Sequence, residues 1–129
     1  MVLAVVEDLI FLSKIQETAK VLGVAVTAAG ISAAPAAVRE GSPCAMVIDL
    51  NHHSGRAVEL LRQLKSDPAT AAIPVVGFLS HVQAELAAAA RAAGCDMVLA
   101  RSAFVKQLPE LLAGWGGTKS PVSEVPGAL

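Results

Sequence analysis

Three acidic residues in this chain each follow a short apolar run, a position that often carries functional groups in parallel sheets. Glu7 and Asp8 follow the first run, and Asp49 follows the third. The carboxyl ends of parallel strands meet at one edge of a sheet, so we expect the three carboxylates to share a cleft. Like charges this close raise one another's pKa unless a cation neutralises them. Mg²⁺, which prefers oxygen ligands, could do so, and the guanidinium of Arg101 is an alternative.

Other polar side chains follow the same runs. Ser80 and His81 come after the fourth run, and His52 and His53 lie in the loop after Asp49. The three histidines could line the rim of the cleft as a metal-binding or pH-sensitive cluster, because imidazole binds metals and titrates near neutral pH. Adjacent histidines on a loop are more often just solvated polar residues, and this is the favoured interpretation.

Five short, continuously apolar segments alternate with segments of helical period. Apolar runs rich in β-branched residues are typical of strands that are buried on both faces of a parallel sheet. The predicted strands are residues 2–6, 24–28, 45–48, 73–79 and 97–100. In the first intervening segment Leu12, Ile15, Ala19 and Leu22 share one helix face, and Gly23 marks the end of the helix.

The alternation of strands and helices predicts one α/β domain. Parallel strands with right-handed crossovers, in a chain of 129 residues, favour a doubly wound, flavodoxin-like sheet in the order 2-1-3-4-5 with helices on both faces. Pro109 is best tolerated in a first helical turn, so the last helix is predicted to start near residues 104–106 and end near 113. We predict a domain over residues 1–113 and a flexible tail or linker over the Gly/Pro/Ser-rich residues 114–129.

The composition excludes several classes of function. Ten basic and eleven acidic residues give a net charge of −1, and no basic stripe is present that could neutralise nucleic-acid phosphates. No apolar run approaches the roughly 20 residues that span a bilayer. Cys44 and Cys95 lie in apolar surroundings without metal-ligand spacing, which predicts two reduced core residues in a cytoplasmic protein. No serine or cysteine stands in a recognisable nucleophile motif.

Three segments resemble the receiver (CheY-like) domain of bacterial two-component response regulators. They are Val5-Val-Glu-Asp8, Ile48-Asp-Leu50 and Ala92-Ala-Gly-Cys-Asp96, and the resemblance covers about residues 2–113. It implies a phosphorelay function in which a histidine kinase transfers a phosphoryl group to Asp49. No enzyme activity is implied beyond the self-dephosphorylation of this residue.

The resemblance also implies a metal site and a partner surface. Glu7, Asp8, Asp49 and the backbone carbonyl of Asn51 would hold Mg²⁺. The partner, a histidine kinase or another signalling protein, would contact the face formed by the fourth helix, the fifth strand and the fifth helix. The chain would be a monomer or a weak homodimer through the same face.

Several positions depart from the pattern of that family: Ser102 stands for a proline, His52 and His53 replace a methionine-proline turn, and three further positions concern the readout of a phosphoryl group. The hydroxyl residue at the end of the fourth strand falls on Leu79, with Ser80 one position later. The lysine of the fifth strand is Arg101, and the aromatic switch residue falls on Val98. Neighbouring residues on a strand point to opposite faces, so Ser80 could replace the hydroxyl only through a shift in register.

These features leave three hypotheses. The favoured one is an atypical receiver, or pseudo-receiver, that binds partner proteins with weak or no phosphoryl switching. The second is a conventional receiver in which Ser80 and Arg101 contact the phosphoryl group. The third is a small-ligand binder on the same fold. The loop after Asp49 is similar to a cobalamin-binding loop, but Asn51 stands where that loop has its histidine, and His52 comes one residue later.

Overall fold

The chain folds into five strands alternating with five helices over the residues that the computed structural model describes, 1–80 and 83–116. The strands are β1 (Val2–Val5), β2 (Val26–Ala28), β3 (Ala45–Asp49), β4 (Val75–Leu79) and β5 (Met97–Ala100). The helices are α1 (Leu9–Val21), α2 (Ala34–Gly41), α3 (Ala57–Ser66), α4 (Ala84–Ala92) and α5 (Arg101–Gly116). None of the helices in this part of the chain has the length and apolar character that a bilayer crossing requires.

All five strands pair in parallel in the order β2-β1-β3-β4-β5, which confirms the predicted doubly wound, flavodoxin-like sheet. Val5 pairs with Ile48 across β1 and β3, and Asp49 pairs with Phe78 across β3 and β4. The carboxyl ends of these three strands therefore lie side by side. The loops that follow them form one edge of the sheet.

The core consists of two layers, one on each face of the sheet. In β1, Leu3 and Val5 belong to the layer that α2, α3 and α4 cover, whereas Val2 and Ala4 belong to the layer that α1 and α5 cover. All four side chains are fully buried. Because both faces of the strand are covered, the strand reads as a continuous apolar run and not as an alternating one.

Helix α1 follows its sequence signals except at its last turn. Phe11, Ile15 and Ala19 face the core, and Gly23 adopts a φ of +72°, a left-handed conformation that favours glycine. The helical period predicts Leu22 on the buried face, yet this residue is 42% exposed. It is the C-cap residue, and it lies beyond the last residue of the helix.

The predicted limits of the last helix are wrong. α5 begins at Arg101, directly after β5, and continues to Gly116, so Pro109 lies in its interior. An interior proline costs about 3 kcal/mol because it removes a backbone hydrogen bond and crowds the preceding turn. Pro109 is exposed, while Leu108 and Leu111 are buried on either side of it. Their burial in the core stabilises the helix across the proline.

Helix α5 extends into the first residues of the predicted tail. The helix includes residues 114–116, and Trp115 is half-buried against the core layer that α1 and α5 cover. The rest of the predicted tail, residues 117–129, lies outside the described part of the chain.

One of the two cysteines is not a core residue. Cys44 is exposed just before β3, and its Sγ lies 3.3 Å from the carbonyl oxygen of Met1. Cys95 is buried as predicted, and burial raises the pKa of its thiol to about 11. The Cys95 side chain therefore stays a neutral thiol at physiological pH.

Candidate functional site

The loops after β1, β3 and β4 bring most of the predicted site residues to the same edge of the sheet. Asp49 is the last residue of β3, Glu7 and Asp8 connect β1 to α1, and Ser80 follows β4. Arg101 is the first residue of α5, directly after β5. The contacts of each side chain decide what chemistry this edge can perform.

Asp49 is buried, with 8% of its surface exposed, and the loop that follows it holds its carboxylate. Its Oδ1 accepts a hydrogen bond of 2.8 Å from the backbone N–H of Asn51. Burial raises the pKa of Asp49, while the Asn51 hydrogen bond and the nearby charges of Arg101 and His52 oppose this effect. The pKa remains raised because these groups do not fully replace the water that the carboxylate loses.

Asp8 is the N-cap of α1. Its Oδ1 accepts hydrogen bonds from the backbone N–H groups of Ile10, at 3.0 Å, and of Phe11, at 3.1 Å. Donors in the first turn have no partner within the helix, so an aspartate here stabilises α1 whether or not a metal is bound. One of the predicted metal-binding carboxylates thus has a structural role.

Glu7 contacts the loop between β3 and α3. Its Oε1 accepts a hydrogen bond of 2.9 Å from the backbone N–H of His53, and its Oε2 contacts Nδ1 of the same residue. Its Oε1 also lies 3.6 Å from Nδ1 of His52. The hydrogen bonds from His53, first the backbone one and then the side-chain one, lower the pKa of Glu7. Glu7 therefore stays ionised and links the loop after β1 to the loop after β3.

The two histidines of this loop differ in exposure but lie close together. His52 is buried, the side chain of His53 is 80% exposed, and their rings stack at 5.3 Å. Nδ1 of His52 lies 2.9 Å from the hydroxyl of Ser54. Glu7, His52 and His53 each offer a ligand atom within 4.8 Å of the other two. The third histidine of the predicted cluster, His81, lies outside the described residues.

The side-chain amide of Asn51 ties the same loop to the end of β4 and the start of α4. Its Oδ1 accepts hydrogen bonds from the Ser80 backbone N–H, at 2.7 Å, and from the Ser80 hydroxyl, at 2.9 Å. Its Nδ2 donates to Oε1 of Gln83 at 2.5 Å. The hydroxyl of Ser80 is therefore engaged by Asn51. The resemblance implies only a backbone role for Asn51. The sequence does not predict its side-chain contacts, because they join segments about 30 residues apart.

Arg101 packs against aromatic rings. Its guanidinium carbon lies 4.4 Å from the ring centroid of Phe11 and 5.6 Å from that of Phe78, distances typical of cation–π contacts. Within residues 1–80 and 83–116 it forms no ion pair shorter than 4.0 Å with Asp49 or another carboxylate. Its buried Nε also has no hydrogen-bond partner in that part of the chain. The charge of Arg101 thus acts on Asp49 only at a distance.

Buried aliphatic side chains fill the two positions where the resembled family has a hydroxyl and an aromatic ring. Leu79 is fully buried, and Val98 is 1% exposed in the layer that α2, α3 and α4 cover. Neither side chain can donate a hydrogen bond. The hydroxyl that comes nearest in sequence, that of Ser80, bonds Asn51 instead.

A Mg²⁺ ion at this edge would compete with contacts that the carboxylates already make. Mg²⁺ demands an octahedral shell of oxygens. Both carboxylate oxygens of Glu7 face histidine nitrogens, and Oδ1 of Asp8 and of Asp49 accept backbone hydrogen bonds. An all-oxygen shell requires Glu7 to turn away from the histidines. The site of Glu7, Asp8, Asp49 and the Asn51 carbonyl stays a prediction.

Comparisons with known proteins bear on the fold. No protein-family model matches the chain, and no curated protein matches it. Among solved structures, the chemotaxis response regulator CheY4 of Vibrio cholerae matches with a TM-score of 0.76 and 18% identity over 86% of this chain and 93% of that one. The phosphorylated cyanobacterial phytochrome response regulator RcpA matches with a TM-score of 0.75 and 22% identity over 97% and 96%. This chain has the receiver fold.

A third receiver-fold structure is the Mn(2+)-bound form of response regulator Rcp1, with a TM-score of 0.72 and 22% identity over 95% of this chain and 98% of that one. At these identities the likeness extends to the architecture alone. The predicted resemblance is therefore confirmed as a receiver fold, and the chemistry of this chain has to be argued from its own side chains.

Two residues of the site carry no sequence signal that links them to it. Gln83 bonds Asn51, and Phe11 lies under Arg101. The only sequence signal at Gln83 is that a polar residue precedes a helix, and this signal does not indicate which residue Gln83 contacts. Phe11 reads as an ordinary core residue of α1. Both contacts depend on how distant loops pack together.

Proposed function

We propose that the chain is a receiver-like module of two-component signal transduction that acts through contact with partner proteins, with weak or no switching by a phosphoryl group. The observation that carries this proposal is the engagement of the groups around Asp49. The Ser80 hydroxyl bonds Asn51, and the Arg101 guanidinium lies over Phe11. A phosphoryl group on Asp49 needs donors for its oxygens, and both of these donors are held elsewhere.

The residues behind Asp49 support the same proposal. A phosphoryl group shifts a conformational equilibrium only through contacts that differ between two states. Leu79 and Val98 are packed in the core at the positions where the resembled family would make such contacts. Neither has a polar group or a ring that could respond to a new charge.

The proposed contact surface is the face formed by α4, β5 and α5. β5 is at the edge of the sheet, with no further strand beside it in the described residues. The partner would be a histidine kinase or another signalling protein, and the chain itself a monomer or a weak homodimer through this face. Both cysteines are free, as is typical of a reducing compartment such as the cytoplasm. No enzymatic turnover is proposed beyond self-dephosphorylation of Asp49.

Phosphorylation by a small-molecule donor tests this proposal. The full chain is incubated with acetyl phosphate and Mg²⁺, and its intact mass is compared with that of the Asp49→Asn variant, which keeps the shape but forms no acyl phosphate. We expect little or no added mass and unchanged amide resonances in α4, β5 and α5. A stable acyl phosphate that is absent from the variant and that shifts these resonances would overturn the proposal.

A second candidate is a conventional receiver that a histidine kinase phosphorylates on Asp49 with Mg²⁺ bound. It is favoured by the position of Asp49 at the sheet edge where Glu7 and Asp8 also lie, and by the charge of Arg101 that acts on its carboxylate. In this function Glu7 and Ser80 must leave their present partners. Mg²⁺ binding that Asp8→Asn weakens would support this candidate. A titration without affinity even in the millimolar range would exclude it.

A further inference from the structure

Two imidazoles and one carboxylate meet at the sheet edge, next to Asp49 but without its participation. The geometry points to a binding site for a borderline divalent cation, of which Zn²⁺ is the representative, with Glu7, His52 and His53 as its ligands. One ligand atom of each residue lies within 4.8 Å of the other two. This inference does not depend on the proposed signalling function.

The spacing of the donor atoms is close to that of a tetrahedral site. Zn²⁺ binds nitrogen and oxygen at about 2.0–2.2 Å, which places neighbouring ligand atoms of a tetrahedron about 3.4 Å apart. Nδ1 of His52 lies 3.6 Å from Oε1 of Glu7, and Nδ1 of His53 is in direct contact with Oε2. A small opening of the contact between His53 and Glu7 would admit the ion. Three protein ligands leave the fourth position to water.

The chemistry of the donors selects the class of cation. Imidazole nitrogen suits Zn²⁺, Ni²⁺ and Cu²⁺, whereas Mg²⁺ and Ca²⁺ prefer shells made of oxygen. The cluster supplies two nitrogens from His52 and His53 and a single carboxylate from Glu7. The site is therefore distinct from the predicted Mg²⁺ site, with which it shares only Glu7.

The charges at this edge favour a bound cation. Glu7, Asp8 and Asp49 are acidic, and Glu7 acts on the Asp49 carboxylate as a like charge. Arg101 forms no ion pair with these carboxylates within residues 1–80 and 83–116. A divalent ion would add positive charge in direct contact with a carboxylate, whereas Arg101 acts on Asp49 only at a distance. The 80% exposed side chain of His53 leaves the cluster open to solvent, so an ion can enter.

The backbone holds the ligands in place before any ion binds. The N–H of His52 donates to the Asp49 carbonyl at 3.1 Å, and the N–H of Gly55 donates to the His52 carbonyl at 2.9 Å. The N–H of His53 donates to Glu7 itself. A site built on fixed backbone loses little entropy on binding. An ion on Nδ1 of His52 would replace two contacts of that nitrogen, one with the Ser54 hydroxyl at 2.9 Å and one with the Ser54 backbone N–H at 3.3 Å.

Zn²⁺ titration of the full chain, purified without a polyhistidine tag, tests the site. Calorimetry gives stoichiometry and affinity, and Co²⁺ substitution reports tetrahedral coordination through its visible absorption. We expect one ion per chain, an intense Co²⁺ band, and no competition from excess Mg²⁺. His53→Ala and Glu7→Gln should each weaken Zn²⁺ binding by about tenfold or more. His53 is so exposed that its substitution leaves the fold intact, which circular dichroism verifies.

The matched control is Glu59→Gln, which removes an exposed carboxylate of α3 and should leave the affinity unchanged. Ser54→Ala removes the hydroxyl that competes for His52 Nδ1 and leaves the backbone N–H contact, so it should keep or strengthen Zn²⁺ binding. Equal Zn²⁺ affinity in the unaltered chain and in both the His53→Ala and Glu7→Gln variants would overturn the proposal. So would displacement of Zn²⁺ by excess Mg²⁺, or the absence of the Co²⁺ band. In each of these outcomes the contact between His53 and Glu7 is an ion pair only.

Discussion

Asp8 and Asp49 carry the same side chain in opposite surroundings. Asp8 is exposed and accepts two backbone hydrogen bonds at a helix start, where negative charge is favourable. Asp49 is buried, and its pKa is raised chiefly by that burial. Asparagine keeps the shape of aspartate and removes its charge. Substitution by asparagine therefore separates what the shape and the charge contribute at each position.

At Asp8, we expect the cap to matter more than the charge. Asp8→Ala should lower the free energy of unfolding by about 1 kcal/mol, because the N–H groups of Ile10 and Phe11 lose their acceptor. Asp8→Asn retains an acceptor oxygen and should stay within a few tenths of a kcal/mol of the unaltered chain. Urea unfolding of the three proteins measures both effects. Equal stability of Asp8→Ala and the unaltered chain would contradict the capping role.

At Asp49, we expect the charge to destabilise the fold. The pKa of Asp49 in the folded chain is raised above the ordinary value of 3.8. Between the unfolded and the folded pKa, the unfolded chain therefore binds fewer protons than the folded chain. The free energy of unfolding falls as pH rises through this range. Asp49→Asn removes this effect and keeps an acceptor for the Asn51 N–H. The variant should unfold at higher urea concentration at neutral pH.

The pH dependence makes the Asp49 prediction specific. The stability difference should shrink as pH falls below the ordinary pKa, where the carboxyl of the unaltered chain is protonated in both states. Unfolding curves at a series of pH values measure it. A difference that does not change with pH would show that burial does not raise the pKa of Asp49.

At the scale of secondary-structure elements, the side chain of Lys65 connects helix α3 to two other segments through hydrogen bonds. Its Nζ donates to the carbonyls of Ala71, at 3.0 Å, and Ile73, at 2.8 Å, and it pairs with Oδ2 of Asp96 at 3.0 Å. These contacts join α3 to the segments that precede β4 and β5. Gly94 has a φ of +103°, and a Cβ there would lie 2.6 Å from Cγ of Lys65. The glycine of the segment before β5 therefore makes room for the lysine.

Replacement of this lysine tests the link. Lys65→Met keeps the aliphatic stem but removes all three hydrogen bonds, and we expect a loss of about 2–3 kcal/mol in the free energy of unfolding. The side chain of Lys65 is only 15% exposed, so the freed carbonyls gain little water. Lys106→Met, at an exposed position of α5, serves as the control and should change stability by less than about 0.5 kcal/mol. Similar effects of the two substitutions would contradict the link.

For the whole molecule, the single tryptophan reports whether α5 belongs to the cooperative fold. Trp115 packs against the core layer that α1 and α5 cover, beyond the domain boundary that the sequence predicts. Its fluorescence should therefore change in one transition that coincides with the loss of circular dichroism in urea. An emission spectrum that is already that of a solvated indole in the folded protein would contradict this packing and would support the predicted boundary at residue 113.

Local patterns were enough to predict the architecture. Continuous apolar runs mark strands that are buried on both faces, helical periods mark the segments between them, and right-handed crossovers leave few arrangements of such a chain. The same reasoning failed at Pro109, because the burial of Leu108 and Leu111 against the sheet outweighs a local helix-breaking signal. It also failed at Cys44, whose exposure depends on its place outside the sheet.

By itself, the sequence determined the parallel sheet, its strand order and the edge at which the polar residues gather. Only the tertiary structure decided what those residues contact: Glu7 meets the histidines, Ser80 meets Asn51, and Arg101 lies over Phe11. The reason is physical. A residue's place along a strand follows from a period of two, whereas the direction of a loop side chain follows from contacts with segments dozens of residues away.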